Sequence, residues 1–259
     1  MTSYKTLLAC LIAICFMACI QIEEEVDIRE DGSGRLAMNT DMGQLFELLK
    51  GFASEEDLAN EGLNRATDTV ILMKDLIDTA RDISAENRAV LREGKMHLQM
   101  NMNENIFKLN IDYPFKSLAD ANKLHKAMND MGMMGNSLMN LGGKQEEPDQ
   151  PAIPGGGSMG IERVSSIYDT RFGNGEYSRT VNRARYDSLV NDPRMQESRG
   201  MLSMMGSMNH NLTIKLPRKV KSVSNPKAEI SADKKTVILK GDIVQALDSP
   251  ELMEITIRY

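Results

Sequence analysis

The residues of this 259-residue chain that could carry chemistry are few and lie far apart. All the cysteines, Cys10, Cys15 and Cys19, fall within or at the end of the run TLLACLIAICFMAC. The stretch from Thr6 to Ala18 is apolar and uncharged, too short to cross a bilayer as a helix, and gives way at once to QIEEEVDIRED. That is the form of a cleavable leader rather than a permanent span. Ala18 supplies the small residue before a cut. Cys10 has almost no apolar core in front of it and Cys15 follows the branched Ile14, so lipid acylation is expected on Cys19 after removal of residues 1–18. Phe16 and Met17 depart from the usual lipobox, and an uncleaved anchor helix is the competing reading. Cleavage leaves no second thiol, which excludes a disulfide scaffold and a cysteine-ligated metal site.

The thioethers come next. Among 20 methionines, Met201, Met204, Met205 and Met208 stand at the i, i+3, i+4, i+7 spacing that places them on one stripe of a helix, and Met128, Met131 and Met134 form a looser stripe. Core packing is the first reading. A flexible Met-lined groove for an amphiphile or a variable partner is the second, and soft Cu(I) coordination the third, with neither Cys nor matched His to support it. The histidines, His97, His125 and His210, fall in different expected elements. No nucleophile elbow, phosphate loop or zinc motif is present, and carboxylate pairs such as Glu55 with Glu56 lie where solvation or a helix start explains them. The expectation is a protein that is not an enzyme, with no cofactor and no metal. Asp68-Thr69-Val70, Asp78-Thr79-Ala80 and Asp187-Ser188-Leu189 match a short O-glycosylation signal that chance also produces.

Composition narrows the partners. Lys plus Arg of 31 against Asp plus Glu of 37 gives a net charge of −6, and with no basic cluster expected and few aromatics, nucleic acid is set aside. The absence of Trp argues against a glycan surface of stacked rings. An apolar fraction of 41% suffices for a core, and residues 19–259 are long enough for a single domain.

Several elements must hold these residues. Ile20, Ile22, Val26 and Ile28 alternate with polar neighbours as in a half-buried strand, the Glu23-Glu24-Glu25 run reads as a solvated face, and Asp31-Gly32-Ser33-Gly34 turns the chain into a partner strand. Apolar spacing in TDTVILMKDLIDTARD predicts a helix, and Ser84 caps a shorter one. Strands follow at 95–102 and 106–115, then a helix over 116–141. Gly and Pro break all periodicity at about 142–160, read as a flexible linker. A hairpin about Asn174-Gly175, a helix from Tyr186 towards Met208 with a candidate interruption at Pro193, and strands at 212–216, 219–224, 228–231, 236–243 and 254–259 complete the pattern. The fold class expected is α+β, a curved antiparallel sheet of hairpins with amphipathic helices on one face.

Two stretches, CIQIEEEVDIREDGSGRLAMNTDM and NLTIKLPRKVKSVSNPKAEISADKKTVILKGDIVQAL with LMEITIRY, resemble a family of Bacteroidota envelope lipoproteins marked by an acidic strand and a DGSG turn after the lipidated cysteine. More distantly, the pattern is similar to the LppM-like lipoproteins, whose α+β domain has been linked to amphiphile binding. The resemblance implies lipidation at Cys19, a structural turn at Asp31 to Gly34, and an outer-membrane address with the acyl chains as membrane contact. It brings no catalytic motif. The expected role is non-enzymatic binding of a hydrophobic ligand or an envelope protein, with a structural or assembly lipoprotein, or a periplasmic hydrolase, as alternatives.

Overall fold

The structure, a computed structural model, describes residues 20–44, 50–51, 54, 66–78, 83–130, 161–204 and 207–259. The leader with Cys19, most of residues 45–65 with Glu55 and Glu56 among them, Thr79, Met131, Met134 and the 142–160 connection lie outside the described residues.

Strand β1 (Ile20–Ile28) follows its alternation, with Ile20, Val26 and Ile28 buried on one face. Gly32 adopts φ 80° in the turn after it, where a side chain would be strained, and the Ser33 amide donates to Asp31 Oδ1 at 2.9 Å. Strand β2 (Gly34–Asp41) returns antiparallel. It pairs with β5 (Ile106–Phe115), β5 with β4 (Lys95–Asn101), and β4 with β3 (Thr67–Leu72), all antiparallel. On its other side β1 pairs in parallel with β8 (Met208–Lys215), Ile20 opposite Met208 and Asp27 opposite Lys215. Strand β11 (Thr236–Asp242) and the short β10 (Glu229–Ile230) complete the eight-stranded order β10-β11-β8-β1-β2-β5-β4-β3. A second sheet runs β6 (Tyr168–Gly173), β7 (Glu176–Val181), β12 (Ile255–Arg258) and β9 (Ser222–Val223), in the order β6-β7-β12-β9.

Helices α1 (Met73–Ile77), α2 (Ala85–Leu91), α3 (Leu118–Asp130), α4 (Ile161–Ser166), α5 (Arg183–Val190), α6 (Pro193–Met204) and α7 (Ile243–Asp248) connect these strands. Their starts are capped as the residue types dictate. Ser84, Asn182 and Asp242 accept from Asn87, Arg185 and Gln245 amides, and Ser117 accepts from Asp120 while its hydroxyl donates back to the Asp120 carboxylate. Asn122 of α3 substitutes for a strand neighbour at β6, donating to Phe172 O at 2.8 Å and accepting from Phe172 N at 3.0 Å. One apolar core of buried residues runs from Ile20 to Tyr259 and draws on both sheets.

The α+β class holds, with three differences from the expectation. The β1–β8 pair is parallel, because a crossover of some 180 residues lets the chain re-enter beside its own start. Thr67–Leu72 is a strand where a helix was expected, since Thr69, Val70 and Ile71 are β-branched and β4 offers a ladder. The helix expected from Tyr186 towards Met208 is interrupted at Pro193 as anticipated, but Met208 opens β8 rather than extending a helix.

Candidate functional site

Two places in the fold concentrate polar groups. The first is interior. Glu24 shares the apolar face of β1 and is buried, not solvated as its acidic run suggested. Arg179 of β7 reaches across from the second sheet, its Nη1 donating to Glu24 Oε2 at 2.7 Å, and His210 Nε2 of β8 donates to the same oxygen at 3.0 Å. The guanidinium also lies over the Tyr168 ring, 4.5 Å from its centroid. Burial alone would raise the Glu24 pKa, but the Arg179 charge and the hydrogen bonds from His210 and Arg179 outweigh it and hold the carboxyl well below the usual carboxylate range. The space beside Arg179, His210 and Ser165 has no room for a water molecule. A substrate cannot reach this cluster in the folded state, so what it can do is clasp the two sheets together.

The second place is a surface groove of about 590 Å³ between the β1–β2 turn and the β6–β7 turn. Ile28, Leu118 and Pro217 supply apolar walls, while Arg29, Arg218 and Asn174 present polar groups. Its far wall is rigidly built: Tyr259 donates its amide to Gly175 O and its hydroxyl to Gly173 O, each at 2.9 Å. Arg218 lies over the Tyr259 ring, 5.5 Å from its centroid, and donates to Asn174 Oδ1 at 3.0 Å. On the near wall, the Ser33 hydroxyl and amide hold the exposed Asp31 carboxyl below its ordinary range.

The sequence-picked residues do not converge. Cys19 and Met205 lie outside the described residues, as do the side chains of Met201 and Met204 on α6. Met208 is fully buried on β8, so it takes no part in a four-membered helical stripe, and Met128 on α3 is buried as well. His97 on β4 is on the surface as expected, with its Nε2 donating to Asp68 at 2.6 Å, and His125 and His210 are on α3 and β8. Among the described residues no three His, Cys, Asp or Glu are placed to hold a metal ion, and no helix is long and apolar enough to cross a membrane.

Two groups escaped the sequence reading. Glu24 was signalled by its phase, an acid on the apolar face of a strand, which demands a buried cation. Residues 215–240 hold eight Lys and Arg against two acids, a basic concentration that the overall charge of −6 concealed. No family model matches the chain, and no curated protein or solved structure is detectably similar to it.

Proposed function

We propose that the chain is a lipid-anchored protein of the cell envelope, without a catalytic role, that works by binding a partner on its surface. The observation carrying this reading is the position of β1. It begins at Ile20, the residue after Cys19, and lies inside the large sheet between β8 and β2. An acyl group on Cys19 would thus be joined to the sheet with no intervening linker, fixing the domain close to its membrane. Surface binding is favoured over an internal amphiphile site because the interior between the sheets at Glu24 is filled by an ion cluster, whereas the open space lies outside, at Arg29 and Arg218.

Metabolic labelling with a clickable palmitate, followed by membrane fractionation, tests the reading. Wild-type chain should be labelled and sediment with outer membranes, and Cys19→Ser should stay unprocessed and unlabelled. Unlabelled wild-type protein in the soluble fraction would overturn it. Native mass spectrometry of the folded protein adds a check, since a co-purifying amphiphile would shift the reading towards lipid binding.

A further inference from the structure

The parallel pairing of β1 with β8 brings two distant stretches to one end of the large sheet. Ile28 leaves β1 into the Arg29–Ser33 turn, and Lys215 leaves β8 beside it into the segment 216–235. That segment closes on itself and is tied to the second sheet: Leu216 N donates to Lys235 O and Val220 N to Lys234 O, each at 2.8 Å, while Lys221 N donates to Arg258 O of β12 at 2.7 Å. Arg218, Lys219, Lys221, Lys234 and Lys235 are therefore held close together, and all are exposed. Lys215 and Lys240 are ion-paired, with Glu25 at 2.7 Å and Glu229 at 3.0 Å. Lys219, Lys234 and Lys235 have no ion pair among the described residues. Their backbone is nevertheless held by hydrogen bonds. Lys234 takes the left-handed region at φ 59°, and the Asp233 carboxylate accepts from the Ser231 hydroxyl and the Lys235 amide. A protein carrying net −6 thus presents an ordered basic pole, beside a groove with apolar walls.

We infer that this pole and groove form a docking site for an acidic polypeptide segment of an envelope partner. The inference deepens, and rests on, the partner-binding reading above. Charge complementarity sets the sign of the partner, and the pre-ordered lysines reduce the ordering cost of binding. The groove sets its class. Glu30 and Asp31 stand exposed beside Arg29, so a continuous polyanion such as a nucleic-acid strand or an anionic bilayer would meet repulsion there. A peptide places discrete carboxylates at Arg29, Arg218 and the lysines, and can lay apolar side chains on the half-exposed Leu118 and Pro217 between them. The location agrees. Over the length of β1, about 3.3 Å per residue puts the pole roughly 25 Å from Ile20, at the far end of the strand.

The test is fluorescence anisotropy of full-length protein in detergent with a labelled synthetic peptide of glutamates interspersed with leucines. A lysine-for-glutamate peptide, a DNA duplex and phosphatidylglycerol vesicles are run alongside. The acidic peptide should bind, weaken as salt rises, and lose roughly tenfold or more in affinity with Lys219→Glu/Lys234→Glu/Lys235→Glu. That variant changes only exposed side chains and should keep its circular dichroism and melting profile. Arg218→Ala should weaken the peptide independently of the lysines. Absence of peptide binding by wild type, binding indifferent to the charge reversal, or tighter charge-dependent binding of the duplex or vesicles would each overturn the inference. Failure of lipidation is read separately from palmitate labelling, and leaves the anisotropy result interpretable.

Discussion

Arg179→Met isolates the energetic role of the inter-sheet clasp. In the wild type one carboxylate oxygen of Glu24 accepts from Arg179 at 2.7 Å and from His210 at 3.0 Å, with both charged side chains almost wholly removed from solvent. Removing the guanidinium leaves a buried carboxylate with His210 as its remaining polar contact, and breaking a buried pair in this way costs about 3–5 kcal/mol. For a domain of this size about 2–4 °C of melting temperature follows each kcal/mol, so a fall of roughly 6–20 °C is expected. Replacing both residues by Met should cost less than the sum of the single changes, with a coupling of about 1–3 kcal/mol, because each single change leaves the other charge buried without its partner whereas the double change removes both. Chemical denaturation of the four proteins in the cycle measures this at pH 7. Acid sharpens the test. The Glu24 carboxyl is held below its unfolded value, so its stabilisation is complete above the unfolded pKa near 4.5 and is lost as pH falls towards the folded one. A midpoint for Arg179→Met equivalent to less than about 1 kcal/mol of loss would refute the reasoning.

Three further outcomes follow from single residues. Gly34→Ala should destabilise by about 1–3 kcal/mol in denaturant melts, since an added Cβ would sit 1.9 Å from Asp27 O and 2.4 Å from Phe115 Cζ; an unchanged melt would mean that β1 and β2 part easily. Burial, against Phe172 among others, pushes His125 down to about 4, so the unfolded chain takes up a proton that the folded one refuses, and stability should fall as pH drops from 6.5 towards 4. His125→Gln should flatten that limb relative to wild type, and parallel curves would count against it. Met208→Ala should cost about 2–5 kcal/mol and Met208→Leu less than about 1.5, as expected of a buried strand residue; equal tolerance of both would place it at the surface.

The local part of the fold was legible because local physics determines it. Alternation over 20–28, the positive-φ glycine after Asp31, the Asn174-Gly175 turn and the cap at Ser84 depend on a few adjacent residues. What could not be read locally is pairing between remote segments. Thr67–Leu72 carries apolar residues compatible with either period, and its ladder with β4 decides for strand. Glu24 meets Arg179 across 155 positions, and nothing near either residue names the other. Met208 departs from the helical methionine stripe for a related reason, because the chain has already turned into β8, where pairing with β1 and β11 overrides the helical spacing. The basic pole was visible in composition once 215–240 is counted alone, but its proximity to Arg29 depends on the parallel β1–β8 register.

The claim on which the rest depends is that β1 emerges directly from a lipidated residue. Mass spectrometry of the N-terminal peptide of protein extracted from membranes tests it most directly. The account predicts a peptide beginning at Cys19, with the mass of a diacylglyceryl group on its sulfur, and no species retaining residues 1–18. A mature N-terminus elsewhere, or an unmodified Cys19 in membrane-extracted protein, would contradict it.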